Sequence, residues 1–192
     1  MTTTLDFLNQ CSAAAFAETL HGIYEHSPWI PQRAADQRPF VSLAALKLQL
    51  QVTVRNASRD EQLGLIRAHP ELAGKAAIAG QLTSESTGEQ AKAGLHLCSV
   101  EEFATLQKLN ADYNAKFGFP FILAVKGPDG NGYTRQAIIA TFSRRVKNRL
   151  DDEMAENLRQ IHRIAELRLN DLLGYVPQLG NTVMAWSEVI GA

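Results

Sequence analysis

The chain has 192 residues, 45% of them hydrophobic and 20% charged, and a formal net charge of −1. That length buries a full core without disulfide or metal staples. The near-neutral balance lacks the basic excess with which dedicated nucleic-acid or membrane-surface proteins hold polyanions, so neither partner is expected.

Taken in order, the segments read as helices. Residues 5–24 form one or two helices that break before HSPWIP, where flanking prolines fix the chain path and Trp29 is expected as a core anchor at a turn. Ser42 precedes a stripe of Leu43, Leu46, Leu50 and Val54 at spacings of three and four. Three Ser-x-x-Glu capping boxes follow, Ser58 with Glu61, Ser86 with Glu89 and Ser99 with Glu102. The helix begun at Ser58 runs to Ala68, stops on His69-Pro70 and restarts three residues later, because proline disfavours helical geometry in the residue before it. GFPFILAV (118–125) then KGPDGNG and YTRQAIIATF read either as a β-hairpin or as an extended buried segment followed by a helix. The helical register of the second run favours the latter. Thr134 caps a helix running to residue 150 with Ile138, Phe142 and Val146 on one face, and its basic run SRRVKNR reads as a solvated face. Residues 153–173 make the clearest long helix, ended by Gly174. No linker or repeat divides the chain, which is expected to be all-α and multihelical, a single domain spanning residues 1–192.

Arg168 is the residue that periodicity singles out. At about 100° per residue it falls in the same arc as Met154, Leu158, Ile161, Ala165 and Leu172. A guanidinium keeps its charge when buried and needs an anion or an opening to water. It serves either as a buried salt bridge or as a planar fork gripping a carboxylate or ureido group. His69 shares a face with Leu65 and Ile66, and reads either as a helix C-terminal partner or as a mounted base. Ser86 and Glu89 read as a helix start whose free amides and carboxylate are also open to a ligand, with Gln90 as a neighbouring amide.

Other chemistries find less support. The five histidines include no His-Glu-x-x-His pair, so no metal site is expected, and no glycine-rich phosphate loop is present. Cys11 and Cys98 lack ligand or redox spacing and read as small core residues in a reducing compartment. No apolar run reaches the roughly 18 residues of a membrane span. The opening MTTTLDFLNQ is not a secretory leader and EVIGA is not a peroxisomal tripeptide, so the expected location is the cytoplasm.

YEHSPWI (24–30), RPF (38–40), LIRAHPELAGKAA (65–77), LTSESTGEQAKAGL (82–95), LNADYNAKFGFPFILAVKG (109–127) and IHRIAELRLNDLL (161–173) stand together in one order. In that order the chain resembles the 2-oxo-4-hydroxy-4-carboxy-5-ureidoimidazoline (OHCU) decarboxylase family of urate breakdown, over about residues 5–174. The resemblance implies an all-helical, cofactor-free lyase, commonly a homodimer, that forms (S)-allantoin. It implies His69 as the catalytic acid-base with Pro70 beside it, and Glu89 as its orienting partner or a holder of ureido N–H groups. Ser86 and Gln90 line the substrate, the backbone of Phe121, Ile122, Leu123, Ala124 and Val125 forms another wall, and Arg168 grips the substrate. A non-enzymatic helical binding module is the alternative reading, and a metal-dependent hydrolase a remoter one.

Overall fold

Side-chain hydroxyls start most of the helices. In the computed structural model, which describes residues 3–74, 83–92, 94–127 and 132–175, Thr4 caps α1 (Leu5–Gln10) and Ser12 caps α2 (Ala13–Thr19). After α3 (Trp29–Ala34), Ser42 caps α4 (Leu43–Arg55) and Ser58 caps α5 (Arg59–Ala68). Then come α6 (Ser84–Lys92), α7 (Val100–Phe117) capped by Ser99, α8 (Arg135–Arg145) capped by Thr134, and α9 (Leu150–Leu172). Each capping oxygen accepts from an amide of the first turn that has no partner within the helix, which is worth about 1 kcal/mol relative to alanine.

The boxes at Ser58–Glu61 and Ser99–Glu102 close in both directions. The box expected at Ser86–Glu89 does not form. Helix α6 begins earlier, at Ser84, and Thr83 supplies the oxygen that accepts from the Ser86 N–H at 3.2 Å. Ser86 therefore lies inside the first turn, with its hydroxyl released for other contacts. The helix restart expected after His69-Pro70 falls mostly outside the described residues.

The architecture is an all-α single domain, with no strand among the described residues. Its axis is α9, 23 residues and so roughly 34 Å long. Met154, Ile161, Ala165 and Leu169 form its buried apolar stripe, while Leu158 and Leu172 lie at the half-buried margin. Beside that stripe runs a second row of buried side chains that are polar: Glu153, Asn157, Gln160 and Arg168. Gly174, at φ +64°, turns the chain after α9.

The polar row explains how GFPFILAV is accommodated. Gly118, at φ +73°, closes α7, and the chain then runs buried and extended from Phe121 to Ala124. A buried backbone needs partners, and here side chains provide them. Asn157 Oδ1 accepts from Ile122 N–H at 3.1 Å and its Nδ2 donates to the Pro120 carbonyl at 3.2 Å. Gln160 Oε1 accepts from Ala124 N–H at 3.0 Å, and Arg145 donates to the Ile122 carbonyl at 2.7 Å. Two backbone bonds of 2.8 Å, Tyr133 N–H to Val125 and Gly132 N–H to Lys126, begin a hairpin closure before the chain coils into α8. The extended reading holds, with a trace of the hairpin at its end.

Three local expectations need correction. The basic run is not wholly solvated: Arg145 is 1% exposed, bonded to Glu153 and Asn157 at 2.7 Å each, with its guanidinium 4.5 Å from the centre of the Phe121 ring. Helix α8 ends at Arg145, short of the expected residue 150, and α9 starts at Leu150, three residues sooner than expected. Trp29 packs half-buried against the core as expected, but it opens α3 rather than sitting in a turn, with the Arg33 guanidinium 4.7 Å from its ring centre. Around Arg145 packs an aromatic cluster in which Phe121 stacks on Phe142 at 3.9 Å and Tyr113 meets both edge-on.

Removing one partner of a buried ion pair leaves the other charge unpaired in low dielectric. Glu153→Ala is therefore expected to lower unfolding free energy by about 3–5 kcal/mol, read as a drop in the urea midpoint. A loss below about 1 kcal/mol, the scale of an exposed pair, would show that Arg145 does not depend on this carboxylate.

Candidate active site

Arg168 is carried inward on the last turns of α9, where its side chain is only 7% exposed. It is satisfied on every side. Nη1 donates to Glu25 Oε2 at 2.8 Å and to the Gly22 carbonyl at 3.1 Å. Nε and Nη2 form a side-on fork with the two oxygens of Glu89, at 2.8 and 2.9 Å, and Nη2 also reaches Ser86 Oγ at 3.3 Å. Burial works against the guanidinium charge, but the two carboxylates more than offset it and raise its pKa.

Glu25 comes from the turn between α2 and α3. His26 adopts φ +45°, which leaves its own side chain exposed while Glu25 and Ser27 on either side are buried. The second Glu25 oxygen accepts from Thr83 Oγ1 at 2.8 Å and Ser86 Oγ at 3.0 Å. Burial pushes this carboxyl up, and the charge and hydrogen bonds of Arg168 with that of Thr83 outweigh it, holding Glu25 below the usual range. Tyr24, next in the chain, is buried with its hydroxyl 3.0 Å from His162 Nδ1, which ties the turn to α9 a second time.

His69 is the C-cap of α5, at φ −79° and ψ 140°, the extended geometry that Pro70 imposes. Its side chain is buried and Nδ1 lies 2.9 Å from the Leu65 carbonyl. A carbonyl only accepts, so Nδ1 carries the proton and Nε2 presents a lone pair. Burial lowers the pKa to about 4, against the hydrogen bond to Leu65 and the nearby charge of Glu25, with Arg168 and His26 adding to the fall. The imidazole is thus a neutral base at pH 7, within the electrostatic reach of Glu25 and Arg168. The chain after it is clamped by one face of α7: Asn110 donates to the Leu72 carbonyl at 3.0 Å, Gln107 to the Ala73 carbonyl at 2.6 Å, and Asn114 to Glu71.

Of the residues singled out in the sequence, Ser86, Glu89 and Arg168 meet directly, and His69 joins them through its field. Pro70 follows it, half-buried. The run Phe121, Ile122, Leu123, Ala124 and Val125 is buried and bound to α9 two turns before Arg168. Gln90 lies on α6, with its side chain outside the described part. Glu89 bonds to Arg168 and not to the imidazole, whose orientation comes from Leu65. Glu25 and Thr83 were not anticipated. A buried arginine announces that some acid must meet it, but no spacing in the sequence says which. Among the described residues, no three His, Cys, Asp or Glu side chains are grouped to hold a metal ion. No described helix is long and apolar enough to cross a membrane.

A neutral base beside an arginine shared by two carboxylates suits proton transfer on a small polar anion. Residues 9–170 match the family model described as OHCU decarboxylase. The chain is 40% identical over 166 residues to the 2-oxo-4-hydroxy-4-carboxy-5-ureidoimidazoline decarboxylase of Haloferax volcanii, covering 86% of this chain and 94% of that protein. It is 39% identical over 170 residues to the uric acid degradation bifunctional protein PucL of Bacillus subtilis, covering 88% of this chain and 33% of that protein. The solved structure of an (S)-allantoin synthase superposes with a TM-score of 0.71 at 26% identity, over 89% of this chain and 54% of that one. The fold and these relatives define a carboxy-lyase. The chain belongs to the OHCU decarboxylase family.

Neutral burial of His69 makes stability depend on pH. The folded-state pKa of about 4 lies below the ordinary 6.5, so as pH falls the unfolded chain takes up the proton first. The contribution is complete above about pH 6.5 and lost as pH falls through about 4; His162, lowered to about 4 by burial, adds in the same direction. The urea midpoint is expected to fall across this window, with a shallower slope in His69→Gln and His162→Gln. An unchanged slope in both variants would show that neither imidazole is held neutral.

Proposed function

We propose that this chain converts OHCU to (S)-allantoin and carbon dioxide without a cofactor, as part of urate breakdown. The observation that carries the reading is a buried neutral imidazole within electrostatic reach of Glu25 and Arg168, whose guanidinium also binds Glu89. The names borne by the relatives at 39–40% identity support the substrate assignment.

In this reading the substrate carries its carboxylate on a ring carbon next to a C=N bond. When the C–C bond to the carboxylate breaks, carbon dioxide leaves and the electron pair passes into the C=N system. The ring nitrogen takes a proton from solvent, and the hydroxyl proton moves to the neighbouring ring carbon as the enol becomes a ketone. His69 Nε2 accepts the hydroxyl proton and returns it to carbon on one face, which sets the hand of the product. Arg168 holds the carboxylate with its breaking bond out of the ring plane, and Ser86 and Gln90 hold the ureido side. Pro70 supports the imidazole. In an extended chain successive peptide groups point to opposite sides. Ile122 and Ala124 are committed to α9, so the groups of Phe121, Leu123 and Val125 face the other way, and Leu123 is assigned to the substrate ring. A cytoplasmic homodimer completes the reading.

Because the substrate also decays unaided to racemic product, the decisive assay is optical. With freshly generated OHCU, circular dichroism is expected to show one enantiomer accumulating. His69→Ala is expected to lower the catalysed rate by about 10²–10⁴ with helicity intact. Arg168→Lys is expected to be strongly impaired, since a point ammonium cannot serve both carboxylates as a planar fork does. An optically inactive product from the unaltered protein ends this assignment.

A further inference from the structure

Arg168 has no donor left for a substrate. A guanidinium carries five N–H groups, and here they go to Glu89 twice, to Ser86, to Glu25 and to the Gly22 carbonyl. A carboxylate can be gripped only if one of these partners yields. The two acids are not equally free to do so. The Glu25 side chain is 2% exposed and is also held by Thr83 and Ser86, whereas the Glu89 side chain is 31% exposed and, among the described residues, bonds to Arg168 alone.

Charge points the same way. Two carboxylates share one guanidinium beside a neutral imidazole, so the cluster carries a net negative charge. A third carboxylate added to it meets repulsion from both acids, while one exchanged for Glu89 meets only what Glu89 itself met from Glu25. The side-on fork that Glu89 makes, two parallel bonds from Nε and Nη2, is the geometry any carboxylate uses on an arginine. Helix α6 need not move for the exchange, because Thr83 and Ser86 keep its first turn on Glu25; only the Glu89 side chain has to swing away.

We infer that Glu89 is an internal stand-in for the substrate's carboxylate, occupying the Arg168 fork until a ligand brings its own and reclaiming it once that carboxylate has left as carbon dioxide. The inference rests on the substrate class proposed above. It makes Glu89 a specificity determinant: an internal carboxylate competes at high effective concentration, so a neutral ring cannot hold the fork open, and the decarboxylated product is expelled by the group it displaced.

The test is a matched pair of stable ureido compounds, oxalurate, which has a carboxylate, and oxaluramide, which has an amide in its place. Binding is measured by calorimetry at fixed ionic strength for the unaltered protein, Glu89→Ala and Glu89→Gln. Removing the competitor is expected to tighten oxalurate by about tenfold or more in Glu89→Ala, the scale of one charge-assisted hydrogen bond, and by less in Glu89→Gln, with oxaluramide little changed. Oxalurate affinity unchanged, weaker or undetectable in both variants would overturn the inference. The readout needs no turnover, so it separates from the optical assay. Tightening without a chiral product would keep the exchange and lose the substrate; a chiral product without tightening would do the reverse.

Discussion

The site depends on the burial of a charge that cannot be discharged. Taking the Arg168 guanidinium out of water costs several kcal/mol unless anions meet it in good geometry. That demand recruits Glu25 from the turn before α3 and Glu89 from α6, joining three distant stretches around one side chain. Helix α6 shows how far the demand reaches. Among the side chains described on it, only Ser86 is buried, and Ser86 and Glu89 tie it to the body through polar bonds to Glu25 and Arg168. Without the buried cation, little in its sequence would hold it there.

The same device appears at the other end of α9. Arg145, paired with Glu153 and Asn157, donates to the Ile122 carbonyl and so helps keep a buried stretch of backbone extended where no sheet exists to satisfy it. One helix thus carries a polar row with two purposes: its first half holds the extended backbone and its last turns build the charge cluster. His69 meets low dielectric with the opposite outcome. An imidazole can release its proton, so burial that forces Arg168 to find anions leaves His69 neutral. Fixed charge and free lone pair arise from the same cause.

Legibility in the sequence followed the range of the interactions. The caps at Ser42, Ser58, Ser99 and Thr134, the stop at His69-Pro70 and the inward face of Arg168 on α9 are set by residues within a turn or two, and could be read directly. At Thr83-Ser84-Glu85-Ser86 several hydroxyls satisfy the capping rule, and the choice was made from outside, since Glu25 draws in both Thr83 and Ser86. Arg145 sits in a run of exposed basic residues and differs from them only through Glu153 and Asn157, one helix later. The clamp of Gln107, Asn110 and Asn114 on the chain after His69 is periodic along α7, but amides at that spacing look like any solvated face until the backbone they hold is known.

The cluster divides by stiffness. Within four residues the turn before α3 makes three bonds to α9, from the Gly22 carbonyl and Glu25 to Arg168 and from Tyr24 to His162. Burial keeps that phenol un-ionised and that imidazole uncharged, so this buttress does not disturb the charges in front of it. His69 is fixed from its own helix by Leu65 and from behind by α7. Against this rigid half stands one carboxylate, Glu89, partly exposed and tied by a single ion pair. Preorganised groups serve best where charge develops during reaction, and an exchangeable group serves best where a ligand enters and leaves. The placement of a partly exposed acid on the fork of the buried Arg168 gives the site both, with the adjustable part confined to the edge that water already reaches.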